Sequence, residues 1–260
     1  MSLVHFLLLI AAGFGAGLTG SVAGLASLVS YPALLALGLS PLAANVTNTI
    51  GLLSNGPGSA AGARAELRGH GRRIAMLSVW SGVGGALGAG LLLWGSSATF
   101  KQVVPWLIAL GSLLLLVRDP LRGWLDARQM VESPAAARRS PSWGRRLPVL
   151  MVGIYGGYFG AGAGVIMLAV LSLETLEPLP VTNAVKNLTM TAANCVAAVI
   201  FAFDSPVHWP AAAAIAIGVL GGSWCGPAVV RIVPDKPLRV AIALAGLGLA
   251  VALFIGWSGS

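Results

Sequence analysis

The sequence predicts an all-α, polytopic integral membrane protein, and three observations predict it. Only 9% of the 260 residues are charged and 57% are hydrophobic, with a mean hydropathy of +0.86. Soluble domains carry about 25% charged residues, and a soluble fold of this length needs more polar surface than the chain can supply. Apolar stretches near the roughly 20 residues that cross a hydrocarbon core as a helix recur from Met1 to Trp257. They are apolar all round, whereas barrel strands would alternate apolar and polar over roughly ten residues. The 35 glycines suit helices that approach closely in lipid, or that break where something binds.

About eight transmembrane helices are expected, at 3–30, 40–62, 73–95, 101–118, 147–171, 180–203, 208–231 and 237–257. The first opens as MSLVHFLLLI with no basic residue before the apolar run, so it reads as a retained span and not a cleaved signal. Residues 3–37 hold no charge, and one helix of that length would reach about 50 Å. A bend or unwound point is therefore expected near Gly20 to Gly24, and a stop near Pro32 followed by a short re-entrant or interfacial piece. Dividing this segment gives a rival count of nine. Trp94, Trp106, Trp209 and Trp257 fall near predicted span ends and suit the aromatic belt. His208, beside Trp209, reads as interfacial. Cys195 and Cys225 lie in apolar runs without CxxC or His-rich spacing, so they read as packing residues and neither a disulfide nor a metal site is expected.

The charges orient the chain. With eight spans, the connections near 62–73 and 118–146 share a side with the N-terminus. They carry Arg64, Arg68, Arg72 and Arg73, then Arg118, Arg122, Arg128, Arg138, Arg139, Arg145 and Arg146, which is 11 of the 16 basic residues. The positive-inside rule then places both termini in the cytoplasm. The net charge of +8 reflects arginines flanking spans without any recognition module, so nucleic acid is not an expected partner. Residues 119–146 read as a basic cytoplasmic linker between an N-terminal repeat (1–118) and a C-terminal repeat (147–260). Within it, 121–131 intersperses Arg and Asp with Leu and Trp, which suits a short interfacial helix.

The division into halves rests on a weak duplication. GFGAGLTGSVAG (13–24) aligns with GIYGGYFGAGAG (153–164) at an offset of 140, pairing Gly13, Gly17, Gly20 and Gly24 with Gly153, Gly157, Gly160 and Gly164. At an offset of 139, SPLAANVTNTIGLLSN (40–55) meets LPVTNAVKNLTMTAAN (179–194), pairing Asn48 with Asn187 and Asn55 with Asn194. GVGGALGAG (82–90) resembles GVLGGSWCG (218–226) in a loose register, and Lys101 and Gly111 match Lys236 and Gly246. Two homologous four-helix halves with broken or Gly-rich first helices are expected. Four spans per half would put the pseudo-twofold axis along the membrane normal, whereas an odd number would invert one half.

Polar side chains in lipid are costly, so their clustering calls for an explanation. Asn45, Thr47, Asn48 and Asn55 in the second span, and Asn183, Lys186, Asn187 and Asn194 in the sixth, are the candidate substrate-binding residues. Lys186 sits about seven residues into its span, without an acidic residue at helical spacing. Contact with an anionic substrate, pairing with Glu174, Glu177 or a backbone carbonyl, and snorkelling to the interface all stay open for it. For the asparagines, interhelical hydrogen bonding is the alternative. Gly17, Gly20, Gly24, Gly157, Gly160 and Gly164 fit helix breaks at the site and close packing equally well. No HExxH, paired-carboxylate or Ser–His–acid pattern points to an enzyme, and no cofactor or metal is implied.

The order of these segments resembles the TauE/SafE family of bacterial membrane proteins, and the likeness covers essentially the whole chain. It rests on GFGAGLTGSVAG followed by YPALLALGLSPLAANVTNTIG, on GIYGGYFGAGAGV followed by LPVTNAVKN, and on GVLGGSWCGPAVVRIVPDKPLRVAIALAGLGLAV. The resemblance implies a secondary transporter in the inner membrane, an exporter of small anions such as sulfite or organosulfonates, with membrane lipid and the anion as its partners. The sequence leaves an anion channel, a passive facilitator or a non-transporting structural protein as alternatives, and it does not specify the oligomeric state.

Overall fold

The computed structural model describes residues 1–117, 120, 123, 142–174, 177–229 and 235–258, and all described regular structure is helical. The linker expected at 119–146, with its interfacial helix at 121–131, falls almost wholly outside these residues. The helices are α1 (Leu3–Ala23), α2 (Ala26–Ala36), α3 (Pro41–Gly51), a 3-10 turn (Leu52–Ser54), α4 (Asn55–Gly62), α5 (Arg64–Leu67), α6 (Gly71–Trp94), α7 (Ser97–Leu116), α8 (Ser142–Tyr158), α9 (Ala163–Glu174), α10 (Leu179–Asp204), α11 (Trp209–Val229) and α12 (Asp235–Ser258). Their starts carry local signals. Ser2 and Ser40 accept the His5 and Ala43 amides as N-caps, and Pro41 occupies the first turn of α3.

Stretches in α1, α6, α7, α10 and α11 are each long and apolar enough to cross a membrane. The remaining apolar segments are shorter. The expected first span, 3–30, is not one helix. Gly24 caps α1 in the left-handed region at φ 73°, and α2 then doubles back along α1, so that Gly15 meets Val29 and Gly20 meets Ala26. Residues 15 and 29 would stand about 21 Å apart in a continuous helix. Pro32 does not stop a helix either: it lies inside α2, which runs on to Ala36. The fifth expected span, 147–171, divides likewise into α8 and α9 around Gly160 and Gly162, at φ 77° and 75°. The second divides less sharply, at the 3-10 turn of 52–54.

Side-chain size decides which faces pack. On α6, Ser81, Gly84, Gly85 and Gly88 are buried, while Val79, Val83, Leu87 and Leu91 form an exposed stripe at i, i+4 spacing. Large apolar side chains outward and glycines inward is the pattern expected when lipid is the solvent. Two glycine-lined crossings result. A Cβ on Gly13 or Gly17 of α1 would strike the backbone at Ile215 or Val219 of α11, and one on Gly218 or Gly222 would strike Ile10 or Phe14. In α8 and α6, Gly153 and Gly157 lie against Ser81 and Gly85, and Gly84 and Gly88 against Leu150 and Ile154. The partners correspond at offsets of 140 and 134. This replaces the loose 82–90 to 218–226 register with Gly84 to Gly218 and Gly88 to Gly222.

The same contacts give helix directions. α1 and α11 run parallel, as do α8 and α6. The α3–α4 unit runs parallel to α11, with Gly51 at Ile215 and Gly58 at Ser223. The starts of α6 and α10 lie together, because Glu177 pairs with Arg73 and, at 3.4 Å, with His70. α7 and α12 are antiparallel: Trp106 stacks edge-on with Phe254 at 5.4 Å, and Gly246 abuts Ser112.

Candidate functional site

The breaks between α1 and α2 and between α8 and α9 meet. A Cβ on Gly24 would strike Gly164 Cα, and one on Gly164 would strike Gly24. Beside this contact lies a cavity of about 50 Å³, lined by Gly20, Gly24, Ala26, Ser27, Leu52, Asn55, Gly160, Gly164, Lys186, Asn187, Met190 and Asn194. Its wall is supplied by the end of α1, the first turns of α2, α4 and α9, the α8–α9 turn and the middle of α10. Gly20 and Gly160, Gly24 and Gly164, and Asn55 and Asn194 are the pairs related by the repeat offsets, and all six residues line it.

Lys186 is the charged member of this lining, 1% exposed, and its Nζ donates to Asn183 Oδ1 at 2.8 Å. Such burial removes snorkelling as an account of it. Glu177 is engaged by Arg73 and His70 at the start of α6. Asn183 and Asn187 both donate from Nδ2 to the Ser21 carbonyl, at 2.7 and 2.9 Å. Ser21 lies in the last turn of α1, where carbonyls have no intrahelical partner. The α10 stripe thus caps the C-terminal end of α1, where a neighbouring cation is also favoured.

The second-span residues divide. Asn55 lines the cavity, and its Oδ1 accepts no hydrogen bond among the described residues. Asn45 donates to the Tyr158 carbonyl at 2.9 Å, closing the end of α8. Asn48 accepts from Ser30 Oγ and donates to Ser27 Oγ at 3.2 Å, tying α3 to α2. Thr47 accepts the His208 amide at 3.0 Å, capping α11, and His208 Nδ1 accepts from Ala211 N at 3.2 Å. Asn45, Thr47, Asn48 and Asn183 therefore stand behind the cavity wall. Gly17 and Gly157 belong to the helix crossings. Ser27 and the Ser21 carbonyl were missed: the ASLVS serines, at i, i+3 spacing, were a weak signal, and a carbonyl leaves none.

Chemically, the cavity offers an ammonium and amide groups beside two helix N-termini, with no carboxylate among its lining residues. Among the described residues, no cluster of His, Cys, Asp and Glu could hold a metal ion.

The family described as "Sulfite exporter TauE/SafE" matches residues 9–253. A "Probable membrane transporter protein ORF9" from Sinorhizobium sp is 27% identical over 249 residues, covering 94% of this chain and 90% of that protein. A "Probable membrane transporter protein" from Haemophilus influenzae is 28% identical over 239 residues, covering 91% of this chain and 89% of that protein. No solved structure gives a significant match. The chain belongs to the TauE/SafE family and is a multi-pass helical membrane transporter.

Proposed function

Taking membership of the TauE/SafE family as the premise, we propose that the chain carries a small anion across the bacterial inner membrane by alternating access, through the cavity that holds Lys186. The make-up of that cavity carries the reading. A buried ammonium attracts an anion strongly where the local dielectric is low. The first turns of α2 and α9 add the partial positive charge of helix N-termini. The absence of a lining carboxylate disfavours a cation. The family description names sulfite and export, and the family resemblance extends the substrate expectation to organosulfonates.

The helix directions support two inverted halves, residues 1–118 and 147–260, joined by a basic linker. Eight apolar segments crossing in simple alternation would make α7 and α12 parallel. Their antiparallel packing calls for an odd number of reversals in each half, and the doubled-back α2 and α9 supply the extra one. The pseudo-twofold axis then lies in the membrane plane, through the Gly24–Gly164 contact, as in transporters whose site sits between inverted repeats. The arginine-flanked starts of α6 and α8 fall on the cytoplasmic face. Both termini then lie on the opposite face, a revision of the cytoplasmic termini expected from simple alternation.

The test is counterflow in proteoliposomes with labelled sulfite, sulfoacetate and small carboxylates. Saturable exchange is expected, with Lys186→Gln lowering it by about tenfold or more, the scale for a charged hydrogen-bonding partner. Full exchange in Lys186→Gln would remove the lysine from the mechanism, and unitary currents far above carrier turnover would favour a channel.

A further inference from the structure

We propose that the surface where the starts of α6 and α8 meet binds an anionic phospholipid, its phosphate held by Arg146 and Arg72 and its chains lying along α6. The inference goes beyond the transport reading and does not depend on which solute is carried. Arg146 lies in the first turns of α8 and is half-buried. Its guanidinium carbon stands 5.8 Å from the centre of the Trp80 ring, and its Nη2 meets the Met76 sulfur at 3.9 Å. Stacking on an indole fixes the plane of a guanidinium and leaves its edge available. A thioether is a weak acceptor, and no carboxylate pairs with Arg146 among the described residues. Glu177, at the start of α10, is engaged by Arg73 and His70.

Met76 and Trp80 lie about 8 and 14 Å along α6 from its first residue. Arg146 is therefore held against the body of a helix and not out in a loop, at the depth where tryptophan meets the headgroups. A charge there without a protein counter-ion is costly, and the anion that the bilayer itself supplies at that depth is a lipid phosphate. Arg72 precedes Met76 by one turn on the same face of α6 and is exposed. Two guanidinium groups on either side of Met76 suit the paired acceptor oxygens of a phosphate, and basic sites between membrane helices at the cytoplasmic side take anionic headgroups. Further along α6, the exposed residues Val79, Val83 and Leu87 continue from Met76 and Trp80 at i, i+3 and i, i+7 spacing, which gives acyl chains a surface. That continuity selects a lipid over a soluble phosphate. The other glycine-lined crossing supplies a comparison. At the repeat offsets, Phe6, Ala214, Pro210 and Pro206 stand where Arg146, Trp80, Met76 and Arg72 do. Packing such a crossing thus requires neither the guanidinium nor the indole.

The experiment uses the full-length protein in a neutral detergent, equilibrated with equimolar phosphatidylglycerol and phosphatidylcholine of matched chains. Native mass spectrometry reads the ratio of the two lipids bound. A preference for phosphatidylglycerol of about tenfold or more is expected, and Arg146→Gln and Arg72→Gln should each lower it by about fivefold, the scale of one arginine at a membrane surface. Arg64→Gln removes an exposed charge from α5 and should leave the preference standing. The ratio is read within one preparation, so a poorly folding variant does not distort it. Equal binding of the two lipids, or a preference unchanged in both Arg146→Gln and Arg72→Gln, would overturn the inference. An equal loss in Arg64→Gln would also overturn it, because the attraction would then be spread over the whole arginine-flanked face. Displacement of the lipid by excess glycerol 3-phosphate would replace the lipid with a soluble phosphate ester as the occupant and overturn it as well.

Discussion

Thr47 and Lys186 occupy the same repeat position, yet the structure gives them opposite situations. Lys186 lines the cavity, whereas the Thr47 hydroxyl is taken by the His208 amide. Thr47→Val should therefore cost about 1 kcal/mol of stability, the scale of a lost cap. That would appear as a lowered melting temperature in detergent, with the KM for transported anion unchanged. A raised KM would return Thr47 to the binding residues. Lys186, Asn187, Asn194 and Asn55 were legible because a charge or amide within an apolar run has no cheap explanation. Residue type could not separate them from Asn45 and Asn48, because an asparagine that lines a cavity and one that fastens two helices look alike until its partners are known.

Among the elements, the apolar stretches, their order and the Gly-rich repeat could all be read from the sequence. The hairpins could not. Gly24 and Gly17 sit in one periodic series, and only the fold separates a left-handed turn from a close crossing. The distinction makes a prediction for the crossings. Gly17→Ala places a methyl group against the Val219 carbonyl and the Ser223 amide of α11, so either the helices separate or the backbone shifts. Overpacking of this kind costs about 1–3 kcal/mol. Gly90→Ala, on α6, meets nothing within 4 Å and should be neutral, or stabilising by up to about 1 kcal/mol through helix propensity. Thermal unfolding of the two variants side by side decides the matter. A destabilised Gly90→Ala would mean that this face packs against something in the membrane. An unaffected Gly17→Ala would mean that the α1–α11 crossing is looser than its backbone contact implies.

At the scale of the whole molecule, transport and topology are linked. Halves related by an axis in the membrane plane present the same packing problem to both faces, so that exchanging their conformations exchanges the open side. In the proposed inverted arrangement, the Arg73–Glu177 pair breaks this equivalence. It joins the two halves at the arginine-flanked face, and Val207 and Gly38 stand at the corresponding repeat positions. Simple alternation would put Ser2 on the same side as Gly69, before α6, and opposite Ser96, before α7. Inversion, with α2 doubled back, puts Ser2 with Ser96 and opposite Gly69. All three are exposed, so single cysteines at these positions, with Cys195 and Cys225 replaced, can be labelled by an impermeant maleimide in cells and in inverted vesicles. Ser2→Cys and Ser96→Cys should react from the periplasmic side, and Gly69→Cys from the cytoplasmic side. Ser2→Cys reacting with Gly69→Cys instead would mean that α2 does not reverse the chain in the membrane. The Gly24–Gly164 contact would then no longer mark an axis between inverted halves.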